Sequence, residues 1–227
     1  MLDNPVYSSL SNPAHSHLAK GQGRVLRYLD DVAPFIGLPD DPTEQDWHDA
    51  ATLVGSGTAA YVHLPKPTPA NWTVVRRLDL VQMTAPPGLV GAPDARAVRL
   101  TAADAPEMLD LARRTAPGPF LPRTVEMGTY LGIRLDGELA AMAGERMRPT
   151  GWVEISAVCT SPEHRGQGLG TALIRALLAG IAAQGDRAFL HVAATNANAI
   201  RLYEALGFTV RRELVLSVLK PQPATVC

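Results

Sequence analysis

The chain reads as an α/β (α+β) protein in two parts. A smaller N-terminal α/β half is predicted over residues 1–84 and a larger unit over 97–227, with a linker at 85–96. Three observations predict this. Stretches of strand-like alternation and of helical period follow one another along the whole chain. Asp136-Gly137 separates two apolar runs, a strong hairpin signal. His164-Arg165-Gly166-Gln167-Gly168-Leu169-Gly170 joins an apolar strand, Trp152 to Cys159, to a helix-period run beginning at Thr171.

In the first half, Pro5 to Leu18 predicts a short helix, and Arg24 to Leu29 alternates as a strand. Pro34, Pro39 and Pro42 then punctuate the chain. Gln45 to Val54 predicts a helix that ends at Gly55. Thr58 to Leu64 and Thr73 to Met83 predict strands. This half shows strand–helix–strand grammar but no phosphate loop of its own. In the linker, Ala85-Pro86-Pro87-Gly88 and Gly91-Ala92-Pro93 remove donors and break regular structure.

The second half opens with a strand at Ala97 to Leu100, and Thr101 or Asp104 caps a helix reaching about Arg114. Pro117-Gly118-Pro119 interrupts the pattern. Strands at Thr129 to Leu135 and Glu138 to Arg146 flank the hairpin turn, and the Trp152 strand comes next. The helix after it stops at Gly185. A strand at Ala188 to Ala193, a helix beginning at Asn196 and a final strand at Phe208 to Leu219 complete the chain.

The glycine-rich turn carries the chemistry. A strand-to-helix turn of this kind presents backbone N–H groups at the positive end of a helix, a site for phosphate. Arg165 adds a forked cation suited to phosphate oxygens. The P-loop pattern needs a Lys after the glycines, and the dinucleotide fingerprint needs its third glycine one residue later than Gly170. An ordinary turn whose glycines relieve crowding is the alternative.

The spacing Arg165-x-x-Gly168-x-Gly170 resembles the acyl-CoA pyrophosphate loop of the GNAT superfamily of N-acetyltransferases, [Q/R]-x-x-G-x-[G/A]. Asn196-Ala197-Asn198-Ala199-Ile200-Arg201-Leu202-Tyr203-Glu204-Ala205-Leu206-Gly207-Phe208 is similar to that family's N-x-x-A-x-x-L-Y-x-x-x-G-F block. The resemblance runs from Ala97 onward and is nearest to the branch that includes glycine N-acyltransferase-like proteins. It implies a mixed, mostly antiparallel sheet flanked by helices, with the fourth and fifth strands of the second half splayed. It also implies acetyl-CoA as cosubstrate, an amine acceptor, and a segment near Pro117 covering the acceptor. The backbone of Val158, Cys159 and Thr160 would receive the pantetheine. Gly166, Gln167, Gly168, Leu169, Gly170 and Thr171 would wrap the pyrophosphate, with Arg165 beside them. Asn196 would hold a pantetheine amide. Tyr203 would protonate the leaving thiolate, since a phenol is protonated at neutral pH; its alternative role is a packed core aromatic.

Glu154 is a candidate base, directly or through water. Strand parity places its side chain on the face of Val158 and opposite Cys159. An ion-paired carboxylate is the alternative, and Glu145 is a weaker rival. Cys159 reads as a small buried hydrophobe rather than an acyl-carrying nucleophile. The His15-x-His17 pair has no further ligands to complete a zinc set and reads as solvent-exposed. His164 reads as a surface residue that can assist phosphate. Alternation does not decide whether His191 faces the cofactor gap or the core.

Composition narrows the class. Hydrophobic residues make up 46% of the 227, the formal net charge is −1, and no basic run suggests direct nucleic-acid binding. Two cysteines, Cys159 and Cys227, give no disulfide framework and suit a reducing cytosol. No signal peptide, membrane span or metal set is read, so a cytoplasmic protein is expected. The family resemblance implies an enzyme, monomer or homodimer, moving an acetyl group to a primary amine in a ternary complex. A non-catalytic acyl-CoA-binding sensor or interaction module is the alternative function, and an unrelated nucleotide-binding protein a third.

Overall fold

Two long strands at the middle of the sheet organise the molecule. The computed structural model describes residues 1–63 and 68–222. Its strands are β1 (Ala19–Gln22), β2 (Val25–Tyr28), β3 (Phe35–Gly37), β4 (Ala60–Val62), β5 (Trp72–Thr84), β6 (Ala97–Leu100), β7 (Tyr130–Leu135), β8 (Glu138–Glu145), β9 (Trp152–Thr160), β10 (Arg187–Ala193) and β11 (Thr209–Pro221). The α-helices are α1 (Pro5–Leu10), α2 (Glu44–Val54), α3 (Ala105–Thr115), α4 (Leu169–Ala183) and α5 (Ala197–Ala205). All the strands join one sheet in the order β1-β2-β3-β4-β11-β5-β10-β9-β8-β7-β6. Among the described residues only β3–β4 and β9–β10 run parallel. The sheet is mixed and mostly antiparallel, as the sequence predicts.

β5 sits between β10 and β11, paired antiparallel with both. The strand predicted at Thr73 to Met83 is therefore central, and the N-terminal strands extend the same sheet. The connector after β5 lies on α4: a Cβ added to Gly91 would fall 1.8 Å from the carbonyl oxygen of Arg175. Leu89 packs against the main core beside it.

Local chemistry sets the boundaries. Asp136 and Gly137 both adopt positive φ, 51° and 87°, as a primed hairpin turn requires. Thr43 and Asp46 close a capping box on α2, and Arg24 pairs with the same Asp46 carboxylate. Apolar residues of α4 at helical spacing, including Leu173, Ile174, Leu177 and Ile181, bury against the sheet.

The single helix expected over Pro5 to Leu18 divides into α1 and a 3₁₀ segment, Pro13–Leu18. Asn12 accepts a hydrogen bond from the Ala14 amide there, and Pro13 has no N–H to continue a helix. β1 and β3 have too few residues to show a period; β3 is three buried residues following Pro34. The strand expected over Thr58 to Leu64 is observed as Ala60–Val62, and Leu64 and Cys227 lie outside the described residues. Among the described residues no helix is long and apolar enough to cross a membrane.

Candidate functional site

β9 and β10 start as neighbours and then part. Their register runs through Arg187↔Trp152, Ala188↔Val153 and Phe189↔Glu154, and no pairing continues beyond it among the described residues. Each strand keeps its outer partner: β9 stays on β8, and β10 stays on β5. A V-shaped opening results, with strand edges facing each other across it. A bulge in β9 sharpens the turn-out. Ser156 pairs with Gly144 and Cys159 with Met142, so Ala157 and Val158 together face Ala143 alone. Ala157 carries the kink at φ 52°.

The opening leads into a cleft of about 590 Å³. Ile155 to Val158 line one wall, and His191 to Ala193 line the other with Asn196 and Tyr203. Just beyond Thr160, the chain makes one 3₁₀ turn at Pro162–His164 and enters the glycine loop. Gly166 and Gly168 take φ 77° and 74°, a region that costs an ordinary L-residue about 1–2 kcal/mol. Gly168 is the N-cap of α4, and no side chain caps that helix. The first-turn amides therefore have no side-chain oxygen to satisfy them, and they carry the positive end of a 15-residue helix. Gly170 lies close under β9: a Cβ there would be 3.7 Å from Val158 Cγ1 and 3.8 Å from Thr160 Oγ1. Arg165 and Gln167 are exposed, whereas the Leu169 side chain is buried.

Tyr203 and Asn196 close the far side. Asn196 caps α5, its Oδ1 accepting from the Ala199 amide at 3.1 Å. Tyr203 stands edge-on to Phe208, and burial pushes its phenol up to about 12. It therefore holds its proton throughout the neutral range and still borders the cleft. Being packed and bordering the cleft are compatible, so the two sequence readings of Tyr203 do not exclude each other.

Behind this wall lies a buried polar network. Arg146 donates from Nε and Nη2 to the two oxygens of Glu154, both at 2.8 Å. Burial alone would raise the Glu154 carboxyl, but the Arg146 guanidinium, with His191, holds it well below the usual carboxylate range. His191 Nδ1 lies 2.8 Å from Glu154 Oε1, and its Nε2 lies 3.0 Å from Gln82 Nε2. The Gln82 amide is oriented by donation to the Leu2 carbonyl and by acceptance from Arg211 Nη1. It can only donate to His191, so the imidazole N–H sits on Nδ1 and points to Glu154. Arg211 and Arg212 both bond Asp3 at the surface.

The comparisons with known proteins agree with this geometry. The family described as FR47-like protein matches residues 130–216. The chain is 39% identical over 105 residues to mycothiol acetyltransferase of Thermobispora bispora, covering 44% of this chain and 35% of that enzyme. It thus spans about a third of that curated relative. A crystal structure of a GNAT-family protein from Novosphingobium aromaticivorans superimposes with a TM-score of 0.88 at 40% identity, over 97% of this chain and 98% of the other. The chain belongs to the GNAT family. A GCN5-related N-acetyltransferase from Kribbella flavida, 20% identical, shares the fold over 96% of this chain and 95% of its own, with a TM-score of 0.61.

Within this GNAT fold, the predicted donor-side residues come together: Val158 and Thr160 on β9, the loop from Arg165 to Thr171, then Asn196 and Tyr203 on α5. Three sequence expectations need correction. Glu154 and Val158 do not share a face, because the bulge adds a residue between them. Val158 turns toward α4, while Glu154 turns to His191 on the opposite side and does not line the cleft. The same bulge puts Cys159 on the Glu154 side, under α3 with Met108 and Leu111; burial raises its thiol to about 11. His15 is buried rather than solvent-exposed, with Tyr28 Oη 2.8 Å from Nδ1 and the Met127 carbonyl 2.9 Å from Nε2. Glu145 is held by the Thr129 amide and Arg148. His164 remains at the loop, 3.4 Å from Gln167. His191 both borders the cleft and joins the buried network.

The family resemblance anticipated the segment near Pro117, but sequence reading did not identify the side chains at the other end of the cleft. Phe35, Tyr61, Arg76, Leu78, Leu80 and Leu216 line it, with Arg146 and the Ala116 to Pro119 turn. The period-two series Arg76, Leu78, Leu80 was the available signal, since all three leave one face of β5. Among the described residues no group of three or more His, Cys, Asp or Glu could hold a metal ion.

Proposed function

We propose that this chain is an acyl-CoA-dependent N-acetyltransferase, taking acetyl-CoA and a primary amine through a ternary complex. One observation carries the reading: β9 parts from β10 beside a cleft bordered by a protonated phenol, and its C-terminal end leads directly into an uncapped, glycine-built helix N-terminus. Residues present there fit the donor. The amides of Gly166 through Thr171, with Arg165, suit a diphosphate. The edge of β9 at Val158, Cys159 and Thr160 offers main-chain partners to the amide-bearing arm, and the Asn196 side chain offers another.

Bound acetyl-CoA supplies the thioester carbon that a neutral amine attacks. The C–N bond forms, the tetrahedral intermediate collapses with loss of the C–S bond, and the thiolate takes the Tyr203 proton. The proton lost from the amine leaves through cleft water and restores the phenol. No acyl-enzyme is needed, and Cys159, buried with a raised thiol, is not the nucleophile. Glu154 acts as a positioning residue here: it fixes Arg146 and His191 behind the wall and does not touch the substrate.

The test is calorimetry with acetyl-CoA followed by CoA release with an amine panel. Micromolar donor binding and amine-dependent CoA release are expected. Absence of donor binding overturns the reading; donor binding without transfer to any amine indicates an acyl-CoA sensor.

A further inference from the structure

The acceptor end of the cleft has a charge pattern that selects among amines. Phe35 and Tyr61 meet edge-to-face, with ring centroids 5.6 Å apart, and Leu78, Leu80 and Leu216 extend an apolar wall beside them. Neither Asp nor Glu lines the cleft. Its cations are Arg146, which Glu154 neutralises, and Arg76, which is exposed and has no ion-pair partner among the described residues. An amine carrying further positive charges would find repulsion here and no compensating carboxylate. An amine carrying a carboxylate and an apolar body would find both a wall and a forked donor.

Resting on the acetyl-transfer reading above, we propose that the acceptor is a carboxylate-bearing primary amine with an apolar substituent, the chemistry of an apolar α-amino acid. Arg76 receives the carboxylate at the rim, and the Phe35–Tyr61–Leu78 wall takes the side chain. The amine is thereby left facing the parted strands. Arg76 is a specificity residue; it plays no part in proton transfer.

The experiment measures acetyl transfer at saturating acetyl-CoA to phenylalanine, phenylalanine amide and spermidine, with wild type and Arg76→Gln. For wild type, kcat/KM for phenylalanine is expected to exceed that for the amide at least tenfold, with spermidine the poorest. Arg76→Gln is expected to bring the ratio close to one by raising KM for the acid alone, with donor affinity and thermal midpoint unchanged. Transfer to spermidine or the amide at least as fast as to phenylalanine overturns the proposal. So does a ratio that survives Arg76→Gln, or donor binding without transfer to phenylalanine. A wild type that binds no acetyl-CoA instead removes the transfer reading itself.

Discussion

The two ends of the site, the glycine loop and the side-chain-lined cleft beside it, are built from different materials. The loop end is main chain: glycines at positive φ, a helix N-terminus without a side-chain cap, and strand edges freed by the splay. The opposite end is side chain: an aromatic pair, leucines from two long strands, and an arginine clamped by a buried carboxylate. Backbone recognition suits a ligand part that never changes, since it depends on fold alone. Side-chain recognition suits a variable part, since single substitutions retune it. The comparison teaches that substitutions at the two ends should fail differently, affecting donor affinity at one and fold or acceptor choice at the other.

The largest expected effect is on the side-chain end. Glu154→Gln leaves Arg146 buried without its counter-charge, which costs about 3–5 kcal/mol of stability. Urea unfolding with paired fluorescence and circular dichroism checks this; a loss below about 1 kcal/mol would show that the pair is not structural.

Protonation probes the packing beneath that same end. Burial depresses His15 to about 4 from its ordinary 6.5. Between those values the unfolded chain binds the proton and the folded chain does not. Stability is therefore fully present above pH 6.5 and falls as the pH drops toward 4, by about 3 kcal/mol for this residue. His63, lowered by burial to about 3, adds to the same slope. Replacing His15 with Gln should flatten part of the stability profile over that window, as read by denaturant midpoints at successive pH values.

Gly168→Asp keeps a residue type that tolerates positive φ while placing an anion at the helix N-terminus. Donor affinity is expected to fall about 100-fold, roughly 2.7 kcal/mol, with the fold retained. An unchanged dissociation constant in calorimetry would remove the loop from donor binding.

Tyr203→Phe is the mildest. Turnover should drop about 10- to 100-fold, in the range of general acid catalysis, while donor affinity stays near wild type. Equal turnover would show that the phenol only packs.

Legibility in the sequence divided along the same line. The loop end was readable because its parts are local: the loop lies within Arg165 to Thr171, and Asn196 and Tyr203 share one short segment. The hairpin at Asp136-Gly137 and the Thr101–Asp104 capping box ahead of α3 are likewise decided by neighbours. The side-chain end draws on positions 35, 61, 76, 78, 80, 146 and 216, which only the sheet order brings together. No local period announces that β5 lies between β10 and β11. The single extra residue at the β9 bulge inverted the face assigned to Glu154, because parity counting presumes an unbroken pleat. His15 was misjudged because its partners, Tyr28 and Met127, come from other elements.

The placement of β5 also governs when the protein can become itself. Residues 72–84 pair with β11, and residues 80–84 also with β10 on the other side, both of which come after residue 186. A nascent chain emerging from the ribosome can make this strand early but cannot zip it in until residues 187–221 have been translated. During that wait Leu78 and Leu80 are uncovered next to Val74 and Val75, which stay exposed in the fold, and arginines at 76 and 77 stand between them as charged gatekeepers against premature self-association.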